Sequence, residues 1–337
     1  MLLLFGMVDI ETVLVLGAGA SKAFGFPTGQ ELVKRICLLL NQERYFDIFY
    51  QIAVQYSKEM AKQFPNVLKR ANPLSVDAWL EHNPKYIEVG KVAIVIALLG
   101  YEKESDLYPQ NNWYQLLFKR LDGPFEEFQN NKLSIITFNY DRSLEQYLFE
   151  TFRYTHTDKS EKECKEKLNQ LRIVHVYGSM GRLEGQFESA KHLLPIVSYG
   201  NKLDRNRIIL AAKSINIIPR KQPQGLFDVV QTSISDGFKE AQKLMAGAKA
   251  LYFLGFGYNQ TNMERLGIET LKKTLKNMGT SKNLAYQEYQ ELKRMNIFYR
   301  RERTSTGTRT VDANIGNFLL PRTVYEFLHS HVDFNSI

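Results

Sequence analysis

Four short apolar runs, each closed by a turn-forming segment, limit what this chain can fold into more than any other feature. Thr12-Val13-Leu14-Val15-Leu16 runs into Gly17-Ala18-Gly19-Ala20-Ser21, and Ile135-Ile136-Thr137-Phe138 into Asn139-Tyr140-Asp141. Arg172-Ile173-Val174-His175-Val176 runs into Tyr177-Gly178-Ser179, and Ala250-Leu251-Tyr252-Phe253-Leu254 into Gly255-Phe256-Gly257. Short runs of this composition, ended by glycine or by Asn and Asp, read as strands buried on both faces.

Helical periodicity fills the space between them. Thr28 with Glu31 three residues later forms a capping box. It opens an amphipathic helix through Leu32, Val33, Ile36, Leu39 and Leu40. Helices also read over Arg142 to Phe152, Ser160 to Leu171 and Phe227 to Met245, and from about Thr261. Thr304 to Thr310 reads as a flexible loop or hairpin turn. Alternating strands and helices predict an α/β fold, a Rossmann-like doubly wound parallel sheet. Residues 42–130 are helical in pattern and aromatic-rich, too long for a simple crossover, and read as an inserted helical module. The expected organisation is a nucleotide-binding domain of residues 8–41 and 131–270, the module at 42–130, and a basic C-terminal extension at 271–337. No internal repeat is present.

With 337 residues, the chain has room for two domains or for one with large insertions. Its two cysteines, Cys37 and Cys164, rule out a disulfide framework and a four-cysteine zinc site, and fit a reducing, cytoplasmic setting. No apolar run reaches the ~20 residues that span a bilayer. The opening Met1-Leu2-Leu3-Leu4-Phe5 lacks a basic leader and a small-residue cleavage site, and is not read as a signal peptide. Net charge is +8, and between Lys272 and Arg309 ten Lys or Arg stand against three acids. Such a region can attract nucleic acid or an acidic partner, but it carries few aromatics and no nucleic-acid motif, so a solvated helical face is the favoured reading.

A Gly17-x-Gly19 turn after a strand permits close backbone approach to a phosphate. The usual dinucleotide fingerprint wants a third glycine where this chain has Lys22, and an acid about 20 residues on that nothing convincing supplies. Alone, the turn serves strand-to-helix packing equally well. Asn139 and Asp141 fit a ligand site or the cap of the following helix. His175 fits a general base or a satisfied core histidine. His82, His156, His192, His329 and His331 show no metal-ligand spacing.

Taken together, the segments resemble the sirtuin superfamily. Gly17-Ala18-Gly19-Ala20-Ser21 followed by Gly25-Phe26-Pro27-Thr28 looks like its NAD-binding loop, and Asn139-Tyr140-Asp141 like its Asn-x-Asp signature. Tyr177-Gly178-Ser179 falls where the family has His-Gly, and Gly255-Phe256-Gly257 looks like its late glycine turn. Ser75-Val76-Asp77-Ala78-Trp79-Leu80 resembles a helix of the bacterial branch. Two cysteines cannot build the zinc module of the protein deacetylases, so the resemblance is to the zinc-less bacterial branch. Its members hydrolyse NAD+ as antiphage immune effectors. The resemblance implies NAD+ as substrate and no metal. It implies pyrophosphate and ribose contacts from Gly17, Ala18, Gly19, Ala20, Ser21, Phe26, Pro27, Thr28, Asn139, Asp141, Gly178, Ser179, Gly255, Phe256, Gly257 and Asn262. Asn139 and Asp141 are the expected catalytic residues. Tyr177, with His175 two residues earlier, stands where the family has its catalytic histidine. Activation is then expected to come from self-assembly or from a partner protein that senses infection.

Breaking the nicotinamide–ribose bond passes through an oxocarbenium-like centre, as at other glycosidic bonds. The leaving group is already cationic, so what remains is to hold the ribose, stabilise charge and place a water. Histidine suits the role of base near pH 7, whereas tyrosine, with an ordinary pKa of about 10, does not. A chain of this kind is expected to be a slow NAD+ hydrolase or a binding subunit that senses NAD+ or ADP-ribose.

Overall fold

The computed structural model describes residues 7–186, 194–219, 228–268, 276–282, 300–304, 307–311 and 319–332, together with Leu292 and Phe334. Six parallel strands form one sheet. They are β1 (Thr12–Leu16), β2 (Leu133–Thr137), β3 (Arg172–His175), β4 (Ala250–Leu254), β5 (Lys276–Thr280) and, after the hairpin described below, β8 (Leu319–Leu320). Their spatial order is β3-β2-β1-β4-β5-β8, so strand order reverses between β1 and β4. In open α/β sheets this reversal opens the crevice in which ligands sit. β1 pairs with β2 from Thr12↔Leu133 to Leu16↔Thr137, and with β4 from Thr12↔Ala250 to Leu16↔Leu254. The three strands therefore end level with one another.

Both faces of the sheet are covered, which is why its central strands are continuous apolar runs rather than alternating ones. On one face Leu14, Leu16, Ile135, Tyr252 and Leu254 meet the helices of the larger core. On the other, Val13, Val15, Ile136, Leu251 and Phe253 meet Phe238, Ala241 and Met245 of the long helix before β4. The sheet is thus doubly wound, as the alternation of elements predicts.

Between β1 and β2 run α1 (Gly29–Leu40), α2 (Glu43–Ala53), α3 (Lys58–Ala71), α4 (Val76–His82), α5 (Ile87–Leu99) and α6 (Trp113–Leu121). The helical insertion is built around α5. Its sequence is apolar on every side, and all its residues except Glu88 are buried. It lies against α1, α2, α3 and α4. It also packs on α9 (Arg205–Ser214), which follows α7 (Ser143–Thr155) and α8 (Glu161–Leu168). The insertion shares one continuous core with the sheet.

A buried ion pair reinforces that union. Arg142, at the start of α7, is 1% exposed and donates to both carboxylate oxygens of Glu102, at 3.0 and 2.6 Å. Glu102 also receives Arg207 of α9 at 3.2 Å. Arg142 further donates to the carbonyls of Val197 and Ser198.

The chain then continues through α10 (Asp228–Gly247), β4 and α11 (Gln260–Arg265). The sheet extends beyond residue 270, where a separate extension is expected from the sequence. β5 and β8 belong to it, and α12 (Val324–Ser330) buries Phe327 edge-on to Tyr252 at 6.3 Å. The boundary is hard to see because β5, Lys-Asn-Met-Gly-Thr, is not an apolar run. β6 (Arg300–Thr304) and β7 (Gly307–Val311) pair antiparallel, apart from the main sheet, on the two sides of the expected turn. Much of the basic region between Lys272 and Arg309 lies outside the described residues, as does His192. No helix among the described residues is long and apolar enough to cross a membrane.

Candidate active site at the strand ends

The turns after β1 and β4 meet backbone to backbone at the point where strand order reverses. Gly17 donates its N–H to the Leu254 carbonyl at 3.0 Å, and Gly19 to the Gly255 carbonyl at 2.9 Å. A Cβ on Gly17 would lie 2.6 Å from the Gly255 oxygen, and one on Gly255 would lie 2.2 Å from the Ala20 nitrogen. Gly255 also has φ +57°, in the left-handed region. These glycines are therefore required by the contact between the two turns, whatever ligand they serve. Ala18 and Gly257 are the exposed members, and a Cβ on Gly257 would meet nothing within 4 Å. Their backbone lies open to solvent at the strand ends.

Sequence reading missed the residues that fix the second turn. Thr280, at the end of β5, accepts the Gly255 N–H on its hydroxyl at 2.8 Å. Tyr258 sits at φ +49°, an uncommon conformation for a non-glycine residue, and its buried hydroxyl donates to the Thr280 carbonyl at 3.2 Å. Phe256 points inward, packing on Phe138 at 4.9 Å and Phe253 at 5.6 Å, so its side chain is core.

Asn139 and Asp141, at the end of β2, divide two roles between them. Asn139 donates from Nδ2 to the Gly17 carbonyl at 3.0 Å and to the Ser21 hydroxyl at 2.9 Å. It therefore bridges β2 to the first glycine turn, and its remaining polar atom, Oδ1, is an acceptor. Asp141 is buried. One of its oxygens accepts from Ser21 Oγ at 2.7 Å; the other accepts from the hydroxyl and backbone N–H of Ser143. Asp141 thus caps α7 and holds the glycine turn as well. Burial raises its pKa, while the Ser143 and Ser21 hydroxyls pull the other way. The Tyr114 hydroxyl, 2.7 Å from Ser143 Oγ, and the Trp113 indole, donating to the Ala20 carbonyl at 2.7 Å, extend this network into the insertion.

The rest of the first loop is tied to the insertion and to α1. Phe26 is buried against Tyr101 with ring centroids 5.9 Å apart, and Phe24 stacks on Tyr114 at 3.6 Å. Pro27 and Thr28 are half-buried. Glu31 accepts from the Thr28 N–H at 2.9 Å and its hydroxyl at 2.7 Å, completing the capping box at α1. Lys22, which replaces the third glycine of the dinucleotide fingerprint, reaches Glu31 at 2.6 Å. That bond, with the Thr28 donors, lowers the Glu31 pKa to about 2.

At the end of β3 the sequence-based geometry needs correction. Two residues apart on a continuing strand, His175 and Tyr177 would share a face, but β3 stops at His175. The chain turns there, with the Gly178 N–H donating to the His175 carbonyl at 3.1 Å. Gly178 has φ +73°, and a Cβ there would lie 2.1 Å from the Ser214 carbonyl. Ser179 is buried and donates to the Gly181 carbonyl at 3.0 Å.

The two side chains therefore diverge. His175 Nδ1 lies 2.8 Å from the Asn139 carbonyl and Nε2 lies 2.6 Å from Glu145 Oε1. The Asn139 carbonyl can only accept, and a Glu145 carboxylate would accept as well, an arrangement that favours the doubly protonated ring. Burial opposes that charge, but Glu145 and the Asn139 carbonyl outweigh it and the pKa is raised. In this arrangement both ring nitrogens of His175 are engaged by protein partners. The ring supports the Asn139 backbone.

Tyr177 packs edge-on to Phe138 at 5.7 Å and Phe238 at 5.5 Å. Its hydroxyl donates to Asn262 Oδ1 at 2.6 Å and accepts from Arg265. Burial drives its pKa well above the tyrosine norm, although the Arg265 charge opposes this. Tyr177 is therefore a neutral donor and acceptor. The structure brings Gly17, Ala18, Ser21, Asn139, Asp141, Gly255 and Gly257 together at the ends of β1, β2 and β4, with Tyr177 and Asn262 linked to each other.

A scan against protein-family models and a search of curated proteins each returned no match.

Proposed function

We propose that the chain is a sirtuin-like NAD+ glycohydrolase that cleaves NAD+ to nicotinamide and ADP-ribose, and acts as an antiphage effector by depleting NAD+. One observation carries most of this reading. Asn139 and the first glycine turn, 122 residues apart in the chain, are joined by direct hydrogen bonds at the reversal of strand order, beside the exposed backbone of Ala18 and Gly257. The arrangement fits a dinucleotide: exposed turn backbone for the pyrophosphate, and the Asn139 Oδ1 acceptor for a water or a ribose hydroxyl.

In the reaction the C1′–N bond breaks and its electron pair leaves with nicotinamide, which becomes neutral. Water oxygen then bonds to C1′ and releases a proton. Asn139 orients the water or the ribose hydroxyls, and Asp141 keeps the Ser21 turn in place. Tyr177 is held neutral and offers no base, and both nitrogens of His175 are already bonded to Asn139 and Glu145. General-base help is worth about 10²–10⁴-fold, so the isolated chain is expected to be slow and to depend on positioning.

The same observation supports a second reading, an NAD+- or ADP-ribose-binding subunit of a defence complex without turnover. The two readings separate in one assay of the purified chain, with and without added cell lysate. Nicotinamide release that disappears in Asn139→Ala supports the hydrolase. NAD+ binding without release supports the binding subunit, and absence of both sinks the two together.

A further inference from the structure

Helix α4 of the insertion presents two carboxylates one turn apart to the strand-end loops. Asp77 accepts from the Tyr140 hydroxyl at 2.6 Å, and Tyr140 lies between Asn139 and Asp141. Glu81, buried at 6% exposure, accepts from Arg265 Nη1 at 2.8 Å. The same Nη1 donates to the Tyr177 hydroxyl, and the guanidinium carbon stands 5.7 Å from the centre of the Tyr177 ring. Because Arg265 gives a proton to the tyrosine oxygen, the tyrosine's own proton is directed to Asn262. Three separate parts of the chain (the insertion, the β3 loop and α11) thus set the direction of one hydroxyl.

We infer that Glu81 is a positioning residue for the proposed NAD+ cleavage, acting through Arg265 to fix the Tyr177 hydroxyl at the place where the family carries histidine. This rests on the hydrolase reading above. Arg265 bridges a carboxylate and a phenol through one nitrogen while its guanidinium lies over the tyrosine ring, a combination of contacts that the compact ammonium of a lysine does not reproduce. Without the Glu81 carboxylate, Arg265 loses its buried anionic partner, and the phenol orientation rests on its bond to Asn262 alone. Helix α4 is then part of the site, not only a support for it.

The test is a double-mutant cycle between Glu81→Gln and Tyr177→Phe in the full chain, read by thermal unfolding and by steady-state nicotinamide release. Glu81→Gln is expected to lower kcat about tenfold with KM changed less than twofold, since Glu81 acts through Arg265. In the Tyr177→Phe background the same change should cost nothing further. Arg265→Lys should resemble Glu81→Gln. Coupling in unfolding with the same tenfold loss of kcat in both backgrounds would overturn the positioning role while leaving the hydrolase standing. No coupling in unfolding would overturn the contact itself. No release by the wild-type chain, with cell lysate added, would remove the hydrolase reading and with it the reaction that the pair serves.

Discussion

The side-chain amide of Asn139 donates to the backbone carbonyl of Gly17 at 3.0 Å, across 122 residues of sequence. This bond joins the ends of β2 and β1, and through Ser21 it reaches the buried carboxylate of Asp141. The loop that would hold a dinucleotide and the residue that would place its nucleophile are thereby one hydrogen-bonded unit. Changes on either side should be felt on the other.

Replacing Asn139 should separate function from fold. Asn139→Ala removes two donors and the free Oδ1 from a half-buried side chain. Loss of one such preorganised polar group costs about 10²–10³-fold in turnover in other enzymes. Nicotinamide release is expected to fall by at least that much, with the circular dichroism spectrum unchanged. A variant that keeps wild-type turnover would exclude Asn139 from the reaction.

Gly255→Ala should damage the fold. The new Cβ would lie 2.2 Å from the Ala20 nitrogen and would occupy a left-handed residue at φ +57°. Strain of this kind costs about 1–3 kcal/mol, to which the backbone clash adds. Gly257→Ala, with nothing within 4 Å of its Cβ position, should change stability by less than about 0.5 kcal/mol. Urea denaturation of the two variants tests the contrast, and equal stabilities would refute it.

His175 should give stability a pH dependence of known sign. Its folded pKa is raised above the ordinary value of about 6.5 by Glu145 and the Asn139 carbonyl, against the opposing effect of burial. The protonated ring therefore contributes fully below about pH 6.5, and that contribution fades as pH rises through the folded value. The stability gap between wild type and His175→Gln should be widest near pH 6 and should narrow on going to pH 9. Denaturant midpoints across that range measure it; a gap that stays constant with pH would mean that the ring is neutral.

Removing Glu102 should be among the most destabilising single changes. Glu102→Ala leaves Arg142 buried and stripped of its carboxylate partner, with Arg207 also deprived of an acceptor. Breaking one side of a buried pair costs about 3–5 kcal/mol. Because Arg142 directly follows Asp141, the site loop should loosen as well, visible as faster amide exchange at residues 139–143. A loss below about 1 kcal/mol would show that water repairs the gap.

Much of the sheet was legible in the sequence. β1 and β4 match their apolar runs end to end, and β2 and β3 fall within one or two residues of theirs, because strands covered on both faces must be apolar throughout. The capping box at Thr28 and Glu31 was legible because its bonds span only three residues. β5 and β8 were not, because neither is a long apolar run: β5 reads Lys-Asn-Met-Gly-Thr, and β8 has only two residues. Thr280, Glu81 and Arg265 left no local signal, since each acts on a residue more than 20 positions away.

The sequence by itself determined where the strands end, that glycines stand at those ends, and which polar residues follow them. These are properties of a few consecutive residues and of the periods at which side chains face a core. Only the tertiary structure decided what the residues do. Gly17, Gly19 and Gly255 are fixed by the contact of two turns, Asp141 by the cap of α7, and His175 by partners at both of its ring nitrogens. Tyr177 points at Arg265 and Asn262 because β3 ends two residues before it. A side chain's chemistry depends on the donors, acceptors and charges around it, and here those neighbours come from parts of the chain that only folding brings together.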